Sequence, residues 1–326
     1  MAVPVRLSEY AMDAARQAPS ARIESMISLG GSNIALRVMI YRGYISDLQP
    51  LVILNSVEYP MPPSVAFCEQ MWANGLQVIF IERPGFGSST GMPRALFTGE
   101  LIEKGATAST EAVLIHKLIA QLELQPFVLL GMGSANPVCY RLSLISDRVS
   151  FSLFSNVVFN KDILDVFRPR WLQQMFRQMV HSQAGLKIAS AGIKFRLRRK
   201  PLEFYRLLMH QSPGDVRYVN NNPADFVAAG QLFQHIDHAT LDYDMRMSLK
   251  PDLILKDGLF AGRNAVAFSG TETPDHWRLQ LDSEAERLGI PVAYAPHGDF
   301  LAPYASADFL LSLIQKHAGL NLASST

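Results

Sequence analysis

The stretch "LLGMGSAN", Leu129 to Asn136, has the residue types of a strand that ends in a tight turn and opens a helix. It nearly reads G-x-S-x-G, the turn that lifts a serine hydroxyl to the apex of a strand–helix junction for attack on an acyl carbon. The apex residue, however, is Gly133, and the serine follows at Ser134. Glycine accepts the strained dihedrals of such an apex at little cost, yet it offers no atom for attack. Ser134 falls in the first turn of the following helix, where serine is an ordinary residue and projects differently from the apex. Two readings stay open: a displaced nucleophile at Ser134, or a turn that has lost its chemistry.

Other residues with chemical potential carry weaker signals. "HIDH", His235 to His238, with Asp242 and Asp244 nearby, lacks regular zinc-ligand spacing. "GMGSAN" lacks the third glycine of a dinucleotide fingerprint, so no cofactor is expected. "KIASAGIKFRLRRKPLEFYR" gathers Lys187, Lys194, Arg196, Arg198, Arg199, Lys200 and Arg206 around one acid, Glu203. It reads as a solvated helix face, with docking of Lys194–Lys200 to an anionic surface or a protein partner as the alternative.

Composition frames these candidates. The chain has 326 residues, 48% hydrophobic and 18% charged, enough for a large core. A formal net charge of +1 gives no global reason to expect nucleic acid. Cys68 and Cys139 lie in helical patterns and read as buried small hydrophobes, with no disulfide framework. The N-terminal "MAVPVRLSEYAMDAARQ" carries charges where a signal peptide needs an apolar core, and no apolar run approaches a membrane span. A cytoplasmic setting is the expectation.

The elements that must position the site alternate in type. "RIESMISL" and "IALRVMIY" flank "GGSN" as a hairpin; "LVILN", "LQVIFIE", "PFVLLG", "VSFSLFS", "NAVAFSG" and "IPVAYAP" are short apolar runs typical of buried parallel strands. Helix patterns cover Ser64–Ala73, the segment "STEAVLIHKLIAQLEL" with Val113, Ile115, Leu118 and Leu122 as its apolar stripe, Pro137–Ile145, about Trp277–Leu288, and "SADFLLSLIQKHAG". From 160 to 262 strand patterns vanish and helices dominate, with "GD" and "NNNP" as breaks. Alternation of strand and helix predicts an α/β architecture with a mainly parallel sheet of about eight strands.

This order of elements, with "IERPGFGSS" after the fourth strand and "PHGDFLAPYASADFLLSLI" near the C-terminus, resembles the α/β-hydrolase superfamily. The resemblance implies a core of residues 1–159 and 263–326 and an inserted helical cap of 160–262. It places the nucleophile at Gly133, between Gly131 and Ala135, the histidine at Asp299, and the acid at Thr273 in "SGTETPDHW". All three triad positions therefore depart from the pattern. His297, two residues before Asp299, and Glu272, beside Thr273, are the substitutes; with Ser134 they make the alternative of an active ester or amide hydrolase, or another enzyme without cofactor. The oxyanion loop falls on "NSVEYPMPP". The expectation is a pseudo-hydrolase that binds a small apolar molecule or a protein partner, its pocket formed by Asn55, Ser56, Val57, Met132, Gly133, Ser134, His297 and Asp299, with no metal.

Overall fold

A computed structural model describes residues 22–30, 33–43, 47–98, 105–155, 170–180, 183–249 and 255–318. Eight strands form one sheet: β1 (Arg22–Ser28), β2 (Ala35–Tyr41), β3 (Gln49–Leu54), β4 (Leu76–Ile81), β5 (Phe127–Met132), β6 (Val149–Ser155), β7 (Ala265–Gly270) and β8 (Val292–Ala295). Their spatial order is β1-β2-β4-β3-β5-β6-β7-β8. β1 and β2 pair antiparallel, β2 meets β4 antiparallel, and the remaining neighbours run parallel. Strands β3, β4, β5 and β7 are largely apolar and buried almost throughout, because both faces of the sheet are covered.

Period-two alternation sends successive side chains to opposite faces. Leu51, Ile53, Val128 and Leu130 join one core; Val52, Leu54, Phe127 and Leu129 join the other. Helices α1 (Val65–Ala73) and α12 (Ala307–Ala318) pack on the first face. Helices α2 (Ala106–Gln121) and α3 (Asn136–Ile145) cover the second. Ser64 caps α1 by accepting from the Phe67 N–H. In α2 the expected stripe is corrected at one position: Val113 is exposed, while Ala112, Ile115, Leu118, Ile119 and Leu122 are buried. A residue two positions from Ile115 lies on the far side of a 3.6-residue turn.

Between β6 and β7 lie α4 (Arg170–Val180), α5 (Gln183–Arg199), α6 (Pro201–Leu208), α7 (Pro213–Asn221), α8 (Pro223–Gln234) and α9 (His238–Leu249). The expected boundary at 159/160 lies outside the described residues, as do the N-terminal stretch and part of the "GGSN" turn. "NNNP" separates α7 from α8, as its turn chemistry predicts. "GD" does not break a helix: Ser212 caps the end, Pro213 takes the first position, and Gly214–Asp215 lie in the first turn of α7. Apolar residues of this segment, among them Leu197, Tyr205, Phe226 and Phe233, share the core of the β3–β5 face. After β7 come α10 (Asp275–Leu288), β8, the short α11 (Ala302–Ala305) and α12.

Candidate functional site

β5 enters the site extended at Met132, and a single tight turn, Gly133–Ala135, delivers the chain into α3. Gly133 has φ +46°, a left-handed conformation that a side chain resists. Gly131 is required for a different reason: a Cβ there would lie 2.7 Å from Cys139 Sγ and from Asn136 Oδ1, so helix and strand could not close. Asn136 Nδ2 fixes the start of α3 by donating to the Ser155 carbonyl at the end of β6. The turn therefore keeps the steric design of a nucleophile elbow.

The space above its apex is taken. A Cβ built on Gly133 would lie 2.6 Å from Glu58 Oε2. The same oxygen accepts the Ser134 backbone N–H at 3.2 Å. In a nucleophile elbow the N–H one residue after the apex is half of the oxyanion hole. Glu58 comes from the loop after β3, so a carboxyl of this chain fills the space above Gly133 and occupies the Ser134 N–H. Burial pushes Glu58 above the usual carboxylate range, the Asp244 charge adds to this, and backbone N–H groups of Glu58 and Ser134 offset part of it.

Ser134 is buried and turned away from that apex. Its Oγ donates to Asp244 Oδ2 at 2.9 Å and accepts from the Val57 N–H at 2.8 Å. Neither partner is a histidine, and the Val57 N–H is thereby engaged within the protein. Asn55 Oδ1 accepts the Arg83 N–H at 2.7 Å, which fixes the amide orientation and leaves its buried Nδ2 without a partner among the described residues. Ser56 Oγ accepts from the Tyr59 N–H.

Beneath the elbow lies an ion cluster that spacing in the sequence does not reveal. Arg83, from the "RPGFG" stretch, is fully buried and grips two carboxylates. Its Nε and one terminal nitrogen reach Glu111 of α2 at 2.6 and 3.2 Å; its two terminal nitrogens reach Asp244 of α9 at 2.8 and 2.9 Å. Burial opposes its charge, but the two carboxylates outweigh burial and hold it above the ordinary guanidinium range. Ser134 is thus a hydrogen-bonded neighbour of this cluster.

On the other side, the residues that the resemblance assigned to the acid and histidine, with their two substitutes, meet as two pairs. The inner pair is Thr273 and Asp299, whose Oγ1–Oδ1 hydrogen bond is 2.7 Å, both side chains buried. The outer pair is Glu272 and His297, 3.4 Å apart, with the His297 side chain 52% exposed and Arg217 3.4 Å from the same ring nitrogen. Burial of Glu272 is outweighed by hydrogen bonds from Ser212 Oγ, the Gly214 N–H and the Gly298 N–H, so its carboxyl lies below the usual range. Asp215, missed in the sequence because it sits in an apparent turn, accepts the N–H groups of Asp299, Phe300 and Leu301. Burial, together with the Asp299 charge, raises Asp215 to about 7 despite those hydrogen bonds. Two carboxylates thus stitch the loop after β8 to the start of α7.

Asp237 of "HIDH" is used as a cap, accepting the N–H groups of Ala239 and Thr240 at the start of α9. Among the described residues no cluster of His, Cys, Asp or Glu has the arrangement of a metal site.

No protein-family model matches the chain, and no curated protein sequence matches it. Solved structures do. A bromoperoxidase from Bacillus anthracis is 16% identical with a TM-score of 0.57, over 91% of this chain and 100% of that one. The epoxide hydrolase CorEH is 15% identical with a TM-score of 0.53, over 92% and 99%. A hydrolase from Pseudomonas aeruginosa PA01 is 12% identical with a TM-score of 0.56, over 91% and 98%. The chain has the α/β-hydrolase fold. At these identities the likeness extends to the fold and not to the chemistry. Among the described residues no helix is long and apolar enough to cross a membrane.

Proposed function

We propose that this α/β-hydrolase-fold chain binds a small, largely apolar molecule beneath its helical cap and does not cleave it by serine chemistry. The observation that carries this reading is the Glu58 carboxyl lodged above Gly133 and bonded to the Ser134 N–H. An acyl substrate would have to displace a partly buried carboxyl before its oxygen reached that donor. Aromatic rings supply the apolar surroundings: Tyr59 lies 5.3 Å from Phe226 and 5.5 Å from Tyr304 between ring centres, and Tyr205 lies 4.9 Å from Phe226. The unpartnered Asn55 Nδ2 is a directed donor for a ligand oxygen.

Fluorophosphonate labelling of the full chain, with turnover of nitrophenyl acetate and octanoate, tests the absence of serine chemistry. Neither label nor turnover is expected. Labelling that disappears in Ser134→Ala overturns the reading. Native mass spectrometry then tests binding: a small apolar molecule retained by the wild type and lost from Asn55→Ala is the expected result.

The 3.4 Å Glu272–His297 pair favours a second reading, an enzyme that moves a proton without a covalent intermediate. A pH–rate profile on an ester or epoxide that His297→Ala abolishes would establish it over the first.

A further inference from the structure

Helices α4 and α5 carry a face that neither the elbow nor the core accounts for. They are separated by two residues in the sequence and pack on each other. On α5, Leu186, Ala189, Ser190 and Leu197 are buried. Two turns apart on its opposite side, Ile188 is 62% and Phe195 59% exposed, with exposed Ala191 and Gly192 between them. On α4, Trp171 is 63% exposed and Met175, one turn on, 40%. Four large apolar side chains therefore stand outward on one hairpin.

Charge on this hairpin is one-sided. Residues 170–211 hold nine Lys and Arg against a single acid, Glu203, in a chain whose totals are 30 and 29. Some of these cations are engaged within the protein. Lys194 donates to the Gln234 and Ile236 carbonyls, Lys200 pairs with Glu203, and Arg206 binds Asn220. Arg196, Arg198 and Arg199 form no ion pair among the described residues, and the Arg199 guanidinium stacks over Phe195 at 4.5 Å. Exposed Lys187 adjoins Ile188. The free cations thus border the outward apolar side chains.

We propose that the α4–α5 hairpin docks this protein on an anionic lipid surface. Apolar side chains at the acyl boundary and Arg heads at the phosphates are satisfied together by a plane of headgroups, with no matching shape required of the partner. An acidic protein would answer the charge but would need a complementary groove for Trp171, Ile188 and Phe195. The inference is independent of what the elbow binds.

The test is co-sedimentation of the full chain with phosphatidylcholine vesicles containing about one-third phosphatidylserine, compared with phosphatidylcholine alone. Binding to the anionic vesicles, strong at about 0.1 M salt and weak at about 0.5 M, is expected. Arg196→Gln, Arg198→Gln and Arg199→Gln together should weaken it on the order of a hundredfold, from about fivefold per charge. Phe195→Ser should weaken it at unchanged charge. Trp emission should shift to the blue on binding in the wild type but not in Trp171→Phe. Thermal melts matching the wild type establish that each variant is folded, as expected for exposed positions. Failure of the wild type to bind anionic vesicles overturns the proposal, as does binding that the triple variant and Phe195→Ser leave unchanged. Binding to polyglutamate without vesicle binding, or a dimer dissociated by Phe195→Ser without it, also overturns it and assigns the face to a protein.

Discussion

Placing a serine at position 133 is not a matter of adding a hydroxyl. Its Cβ would meet Glu58 Oε2 at 2.6 Å, and its backbone would stay at φ +46°. Gly133→Ser is expected to lower stability by about 1–2 kcal/mol from the left-handed backbone alone, and to remain unlabelled by a fluorophosphonate. Labelling of that variant would mean Glu58 yields its place readily. Asp215 is the second residue whose role can be measured. Its folded value of about 7 lies above the ordinary value of about 3.9, so its contribution is fully present below that ordinary value and lost as pH rises through 7. The melting temperature should therefore fall across this window, and Asp215→Asn should flatten the fall. Asp215→Ala should cost more, about 2–4 kcal/mol, because three buried N–H groups lose their acceptor.

At the scale of elements, Arg83 joins the loop after β4 to α2 and α9 through two bidentate pairs. Removing it leaves two buried carboxylates facing each other and Ser134, so Arg83→Met should destabilise by about 3–5 kcal/mol in chemical denaturation. Asp244→Asn should cost less, since an amide still accepts from Ser134 and Arg83. The start of α7 is the second junction. Gly214 has no room for a side chain: a Cβ would lie 2.7 Å from the Gly298 nitrogen and 2.8 Å from Glu272 Oε2. Gly214→Ala should part α7 from the loop after β8 and raise hydrogen exchange at Asp299–Leu301, with the sheet unaffected.

Across the whole molecule these junctions tie helices α7 and α9 to the loops around the sheet, and a single cooperative unit is the expected consequence. The wild type should melt in a single transition, whereas Asp215→Ala combined with Asp244→Asn should split it in two, read by calorimetry. Strand runs, the α2 stripe apart from Val113, and the order of elements were legible in the chain because hydrophobic period and turn chemistry are local properties. The register that the resemblance assigns to 133, 273 and 299 rests on local motifs alone and enters the proposed function as an expectation. The pairings that give the site its character were not legible. Glu58 reaches Ser134 across 76 residues, Arg83 reaches Asp244 across 161, and Asp215 reaches Phe300 across 85. A buried carboxyl is indistinguishable from a solvated one in sequence, because its partner and its desolvation are set by how distant elements pack. Sequence alone determined the fold, through hydrophobic period and the order of elements; only the tertiary structure decided that the Glu58 carboxyl lies over Gly133 and that Ser134 is bound to an ion cluster, because those contacts depend on how distant elements pack.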